Sequence, residues 1–175
     1  MLALVGALGT VRAAPAGGAV GDVIIVPIEG TVDEGMAHLV QRAVAEANAT
    51  HARAVVLDVN TPGGLVSAAF EIRDAMLSAN VPTLAYVSER AYSAGALISL
   101  SARRIVMAPG SSIGAAEPIP NDPKHVSALR AEFASTAGLN HRDETLAAAM
   151  VDKSVAAPGY KKPGTILTFT AAEAL

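Results

Sequence analysis

Cysteine is absent from this sequence, and aromatic residues make up only 3% of it. Disulfides, thiol nucleophiles and thiolate metal sites are therefore excluded. The compartment stays open on that count, since an extracytoplasmic protein need not contain disulfides. With few aromatic rings to fill space, the core must be built mainly from Ala, Val, Leu and Ile, in a chain that is 51% hydrophobic. A run of positive charge is also lacking: the formal net charge is −3 and the pI about 5.8, which leaves no electrostatic footprint for nucleic acid. The four histidines, His38, His51, His125 and His141, show no metal-ligand spacing, so packing or surface roles suit them better than coordination, and no cofactor is expected. No apolar run reaches the length of a membrane-spanning helix. At 175 residues the chain suffices for one domain with a sizeable core.

What is present alternates in a βα fashion. Strand patterns fall at residues 23–28, 55–59, 83–87, 105–108 and 166–169, and helical patterns at 33–47, 66–78, 94–102, 125–137 and 142–150. In the first helix Met36, Leu39, Val40, Ala43 and Val44 are expected to face inward. Strands alternating with helices through short loops imply a parallel sheet wound with helices.

Two turns carry the chemistry. Ser93 sits in the small-residue turn Ala91-Tyr92-Ser93-Ala94-Gly95-Ala96, between a strand pattern and an apolar helix pattern. Such a turn exposes a hydroxyl at a helix N-terminus, where free amides and the helix dipole stabilise an oxyanion. Close packing of a helix on a sheet would also account for Ser-Ala-Gly. The second turn, Thr61-Pro62-Gly63-Gly64, closes the strand at 55–59. If the two strands are parallel neighbours, both turns lie at the carboxyl edge where open α/β sheets place their sites. The expected oxyanion hole is then the Gly64 and Ala94 amides. Asp58 and Asn60, alternating with apolar residues near the strand end, suit turn hydrogen bonding. Tyr92 either lines a substrate pocket or packs the edge of the turn.

The ordered set Asn60-Thr61-Pro62-Gly63-Gly64, Ser93-Ala94-Gly95 and Met107-Ala108-Pro109-Gly110-Ser111-Ser112-Ile113-Gly114-Ala115 resembles the membrane-bound serine proteases of the NfeD family. The resemblance covers most of residues 20–175, and three motifs in order are far more specific than any one. It implies a Clp/crotonase-like spiral of parallel sheet wound with helices, with Ser93 as nucleophile. The family's base is a lysine shortly after the Ile-Gly-Ala segment, a position that maps onto Lys124. In Clp proteases a histidine does this work, but Ala116 stands about where it would fall, so a Ser93–Lys124 dyad is the expectation. The chemistry agrees: serine needs a base that is neutral near physiological pH, and burial lowers a lysine's pKa. On its own, a lysine in the polar, proline-rich stretch 118–123 and its exit reads as solvated. His125 adjoins it and is the alternative that orients or replaces the base.

The expected function is a serine endopeptidase acting on hydrophobic segments, with substrate paired along Gly63, Gly64, Leu65 and Val66 as an added strand. By resemblance, stomatin-like membrane proteins are substrates or partners, and self-association into a dimer completes a site whose loops, 118–123 and 156–164, control access. Two rivals stand beside it. A non-catalytic scaffold for membrane partners would keep the fold without using Ser93. A crotonase-type acyl-CoA enzyme would use the same amides with a carboxylate pair, for which only Glu117 is an obvious candidate.

The ends bear on location. Residues 2–11 form an apolar run followed by a small-residue stretch, which reads as the end of a signal peptide or as a flexible arm, so residues 1–19 are set apart from a protease domain at 20–175. Residues 170–175 have a helix-start pattern, with Thr170 as cap and Glu173 three positions on, and the expectation is a helix that continues further. By resemblance, the whole protein would be membrane-anchored with this domain on the extracytoplasmic side.

Overall fold

The computed structural model describes residues 21–174. The expectation for residues 1–19 lies outside them. The chain runs β1 (Val23–Val32), α1 (Glu34–Thr50), β2 (Ala54–Gly64), α2 (Val66–Leu77), β3 (Thr83–Tyr92), α3 (Ala94–Ser101), β4 (Arg104–Met107), β5 (Ser112–Gly114), α4 (Pro123–Leu139), α5 (Glu144–Ala149) and β6 (Thr168–Thr170).

One mixed sheet has the order β1-β2-β3-β5-β6, with β4 also on β3. All pairs are parallel except β5–β6, which is antiparallel. β3 serves two partners in succession: Leu84–Val87 pairs with β4, and Arg90–Tyr92 pairs with β5. Alternation along the strands sends Val26 and Ile28, Val55, Leu57 and Val59, and Ala85 and Val87 into the core. On the opposite face Ile25 (65% exposed), Val106 (46%) and Tyr86 (37%) remain uncovered among the described residues.

α1 starts at Asp33, whose carboxylate accepts from the Met36 amide at 2.9 Å. Its inward stripe is Ala37, Val40, Ala43, Val44 and Ala47. The expected Leu39 instead is exposed, off the stripe set by Ala37, Val40, Ala43, Val44 and Ala47. α3 is buried on every residue, as befits a helix without a polar face. Its last carbonyls are satisfied from a distance: Asn140 Nδ2 donates to the Leu100 and Ser101 carbonyls, and the Arg142 guanidinium donates to those of Leu100 and Ala102 at 2.9 Å each. Burial pushes the Arg142 pKa below its ordinary value.

Several boundaries differ from the sequence patterns for local reasons. β2 and β3 run on through the two turns, to Gly64 and Tyr92. α4 begins at Pro123, since Asp122 accepts the Lys124 and His125 amides. α5 begins after Asp143, which accepts the Thr145 and Leu146 amides, while Arg142 is committed to α3. β5 was not apparent in the sequence, and β6 lies slightly later than 166–169. After β6, the Glu173 carboxylate accepts from the Thr170 amide and hydroxyl at 2.8 Å each, and the chain makes a turn there.

Candidate active site

Ser93 occupies the junction of β3 and α3 with φ 53° and ψ −117°, a conformation that side-chain-bearing residues rarely adopt. Such backbone costs roughly 1–3 kcal/mol and persists only where the surroundings over-determine it. Here the Ser93 amide donates to the Gly114 carbonyl at 2.9 Å, and the Ser93 carbonyl accepts from Ala96 at 3.0 Å. The Ser93 side chain makes no capping bond. Ala94, the first residue of α3, has no acceptor for its N–H inside the helix, so a free amide and the positive end of the dipole sit beside the hydroxyl.

The glycine turn meets this serine directly. Gly63 has φ 112°, and a Cβ there would lie 2.6 Å from Ser93 Cβ and 3.1 Å from its Oγ. Gly64 lies against Val32, where a Cβ would fall 2.1 Å from the carbonyl oxygen. Both glycines are thus required by close approach. Leu65 N–H donates to the Val32 carbonyl at 2.9 Å. By ladder alternation the exposed Gly64 amide is turned away from β1. Leu65 and Val66 follow as exposed apolar residues.

Lys124 lies on the first turn of α4, in the helix rather than in the loop, and is exposed. Among the described residues no hydrogen bond joins it to Ser93, and its ammonium has no ion-pair partner. α4 is anchored further along, by buried Phe133, by Arg73 of α2 on Glu132, and by Arg130 on Asp152 at 3.1 Å. His125 is engaged by Asp122, whose carboxylate lies 2.5 Å from Nδ1; that bond holds the Asp122 pKa below the usual carboxylate range. Glu117 accepts from Asn121 and pairs with Lys153 at 3.3 Å. Ala116 is buried, with its amide on the Met150 carbonyl at 2.8 Å. Tyr92 shares a hydrogen bond with Ser112 at 2.7 Å, within the sheet edge. Asp58 makes no turn bond through Oδ1, which is buried without a partner. A cavity of about 830 Å³ lies between β4, α5 and β6, lined by Ile105, Met107, Leu146, Met150 and Phe169, and does not include Ser93.

A family model described as the NfeD1b N-terminal domain matches residues 22–175. The chain belongs to this family. Among NfeD1b relatives, the chain is 39% identical over 159 residues to the membrane protein NfeD1b of Bacillus subtilis (strain 168), covering 87% of this chain and 36% of that protein. It is 33% identical over 100 residues to the membrane-bound protease PH1510 of Pyrococcus horikoshii (strain OT-3), covering 55% and 23%. The chain therefore spans about a third or less of the length of these curated relatives. Among solved structures, a serine-to-alanine mutant of the 1510-N membrane-bound stomatin-specific protease superimposes with a TM-score of 0.77 at 27% identity, covering 89% of this chain and 76% of that one. A lysine-to-alanine mutant of 1510-N, in complex with a substrate peptide, gives 0.74 at 27% identity, covering 89% and 72%. ClpP1 from Listeria monocytogenes shares the fold, with a TM-score of 0.63 at 16% identity over 86% of this chain and 84% of that one. The NfeD1b domain thus has the Clp-like architecture expected of it.

Ser93, Gly63, Gly64 and Ala94 are brought together, and among the described residues no hydrogen bond ties Lys124 to them. Three contributors went unread in the sequence. Thr61, Gly95 and Gly114 brace the serine turn; each lies inside one of the three motifs, but nothing in the motifs points to that bracing role.

Proposed function

We propose that this NfeD1b domain is a serine endopeptidase with a Ser93–Lys124 dyad. The observation that carries the reading is Ser93 itself, strained at a helix N-terminus with a glycine turn pressed against it, in a chain related to a membrane-bound protease. Ser93 Oγ attacks the substrate's carbonyl carbon while its proton passes to neutral Lys124 Nζ. The Gly64 and Ala94 amides bind the oxyanion, as preformed donors aimed at developing charge. Collapse of the tetrahedral intermediate breaks the C–N bond, and Lys124 returns the proton to the leaving amine. Water, deprotonated by Lys124, then releases the acyl group from Ser93.

The first turn of α4 lies ahead of that helix's anchors, where a bound substrate or a second copy would shield the Lys124 side chain from water. Exposed Leu65 and Val66 at the glycine turn suit an apolar substrate segment laid along Gly63–Gly64. The name of the 1510-N protease, membrane-bound and stomatin-specific, supports a stomatin-like membrane protein as substrate. In this reading the domain lies on the extracytoplasmic side of a membrane-anchored protein and assembles as a dimer.

The test is incubation with casein and hydrophobic peptides, followed by mass spectrometry, alongside folded Ser93→Ala and Lys124→Ala variants. Cleavage lost in both variants supports the dyad. No cleavage by the wild type, as monomer or assembly, favours the second reading, a scaffold for membrane partners, which the exposure of Lys124 also favours.

A further inference from the structure

We propose that Thr61 is the positioning residue that sets the Gly63–Gly64 turn against the nucleophile, an inference that rests on reading Ser93 as that nucleophile. Thr61 is fully buried on β2. Around it the β1–β2 ladder slips: Glu29 pairs with Asn60, but Thr31 pairs with Gly63, so β2 carries one extra residue across this interval. A bulge of this kind leaves backbone groups without ladder partners. Pro62, within it, has no N–H to contribute. The Thr61 hydroxyl resolves the mismatch at both ends: it donates to the Gly30 carbonyl at 2.5 Å and accepts from the Gly63 amide at 3.0 Å.

That single hydroxyl fixes which way the turn's amides point. Because the Gly63 N–H is committed to Thr61 on the β1 side, the next amide, of Gly64, is turned to the opposite side, away from β1. The other branch of the same side chain faces the serine's own helix. A Cβ on Gly95 would lie 2.5 Å from Thr61 Cγ2, so the methyl group packs into the space that Gly95 leaves. Thr61 thus touches both arms of the site, the glycine turn through its oxygen and α3 through its methyl. Serine would keep only the first contact and valine only the second.

This division supplies the test. The purified domain carrying Thr61→Val or Thr61→Ser is examined for amide hydrogen exchange at Gly63 by NMR and for steady-state cleavage of the best peptide. In Thr61→Val the Gly63 amide should exchange at least about tenfold faster, and kcat should fall about a hundredfold with KM within about threefold, the scale of a lost oxyanion donor. Thr61→Ser should hold both quantities within about threefold of wild type, by the same reasoning. If Thr61→Val does not fold, Thr61→Ala removes the hydroxyl without a buried clash and is read in the same way. Unchanged Gly63 exchange in the hydroxyl-free variant, or an equal loss in Thr61→Ser, overturns the proposal. If the wild type cleaves nothing, the peptidase reading fails by itself, while exchange at Gly63 still decides the role of Thr61.

Discussion

Gly63 and Ser93 are in van der Waals contact across two neighbouring parallel strands, so close that a methyl group on Gly63 would stand 2.6 Å from the serine's Cβ. The turn and Ser93 therefore behave as one packed unit, and a change on either side is felt on the other.

Gly63→Ala is expected to destabilise the domain by about 2–4 kcal/mol, because it adds overpacking to a φ of 112° that alanine resists. Urea unfolding measures this. Any cleavage activity should vanish with it, whereas Gly110→Ala, where a Cβ meets open space, should be felt through its backbone strain alone.

Replacing Ser93 separates strain from chemistry. Ser93→Gly should raise stability by about 1 kcal/mol, since glycine adopts the φ of 53° without penalty, while Ser93→Ala should leave stability near the wild type. Both should abolish any cleavage. Chemical denaturation of the pair decides it, and a Ser93→Gly variant less stable than Ser93→Ala would contradict the strain.

Lys124→Ala and Lys124→Arg should each lower kcat at least about a hundredfold, as expected for loss of a general base that arginine cannot replace. The thermal midpoint should hardly move, because the side chain is exposed and unpaired among the described residues. Peptide turnover and a melting curve give both quantities.

Gly95 and Thr61 should be energetically coupled. Gly95→Ala alone drives a methyl into Thr61 Cγ2 and should cost about 2 kcal/mol; in a Thr61→Ser background that cost should shrink by about 1 kcal/mol or more. A double-mutant cycle in urea reads the difference.

Acid stability should depend on Asp152. The Ser154 hydroxyl at 2.7 Å, then its amide at 2.8 Å and the nearby Arg130 guanidinium, hold this carboxyl below the usual carboxylate range. A lowered folded-state pKa stabilises the domain above the ordinary carboxylate value, and that contribution is lost as pH falls through the depressed one. Asp152→Asn should therefore flatten the acid limb of stability against pH, followed by urea midpoints from about pH 7 to about pH 3.

Much of the fold was legible because the strands announce themselves by alternation, as in Val55, Leu57 and Val59, and because Ser93 and Gly63 lie at strand ends. Elements of few residues were not: Ser112–Gly114 is a strand only by virtue of lying beside Arg90–Tyr92. Lys124 looked like a loop residue because Asp122 and Pro123 read as punctuation, when they are the cap and first position of α4. The role of Thr61 was hidden because it depends on a register slip between two strands, and no single segment encodes that.

The forked pairing of β3 bears on how the Ser93 turn is made. Through Val87 the strand belongs with β4, but the stretch that ends at the serine belongs with β5, and β5 is itself closed by β6 near the C-terminal end of the described chain. A backbone cut in the linker at 108–111 would leave the glycine turn, the serine and α3 in one fragment, and the carbonyl that fixes the Ser93 amide in the other. Reactive geometry at Ser93 is then a property of the two fragments jointly. Neither would carry it alone, and mixing them should restore it by complementation.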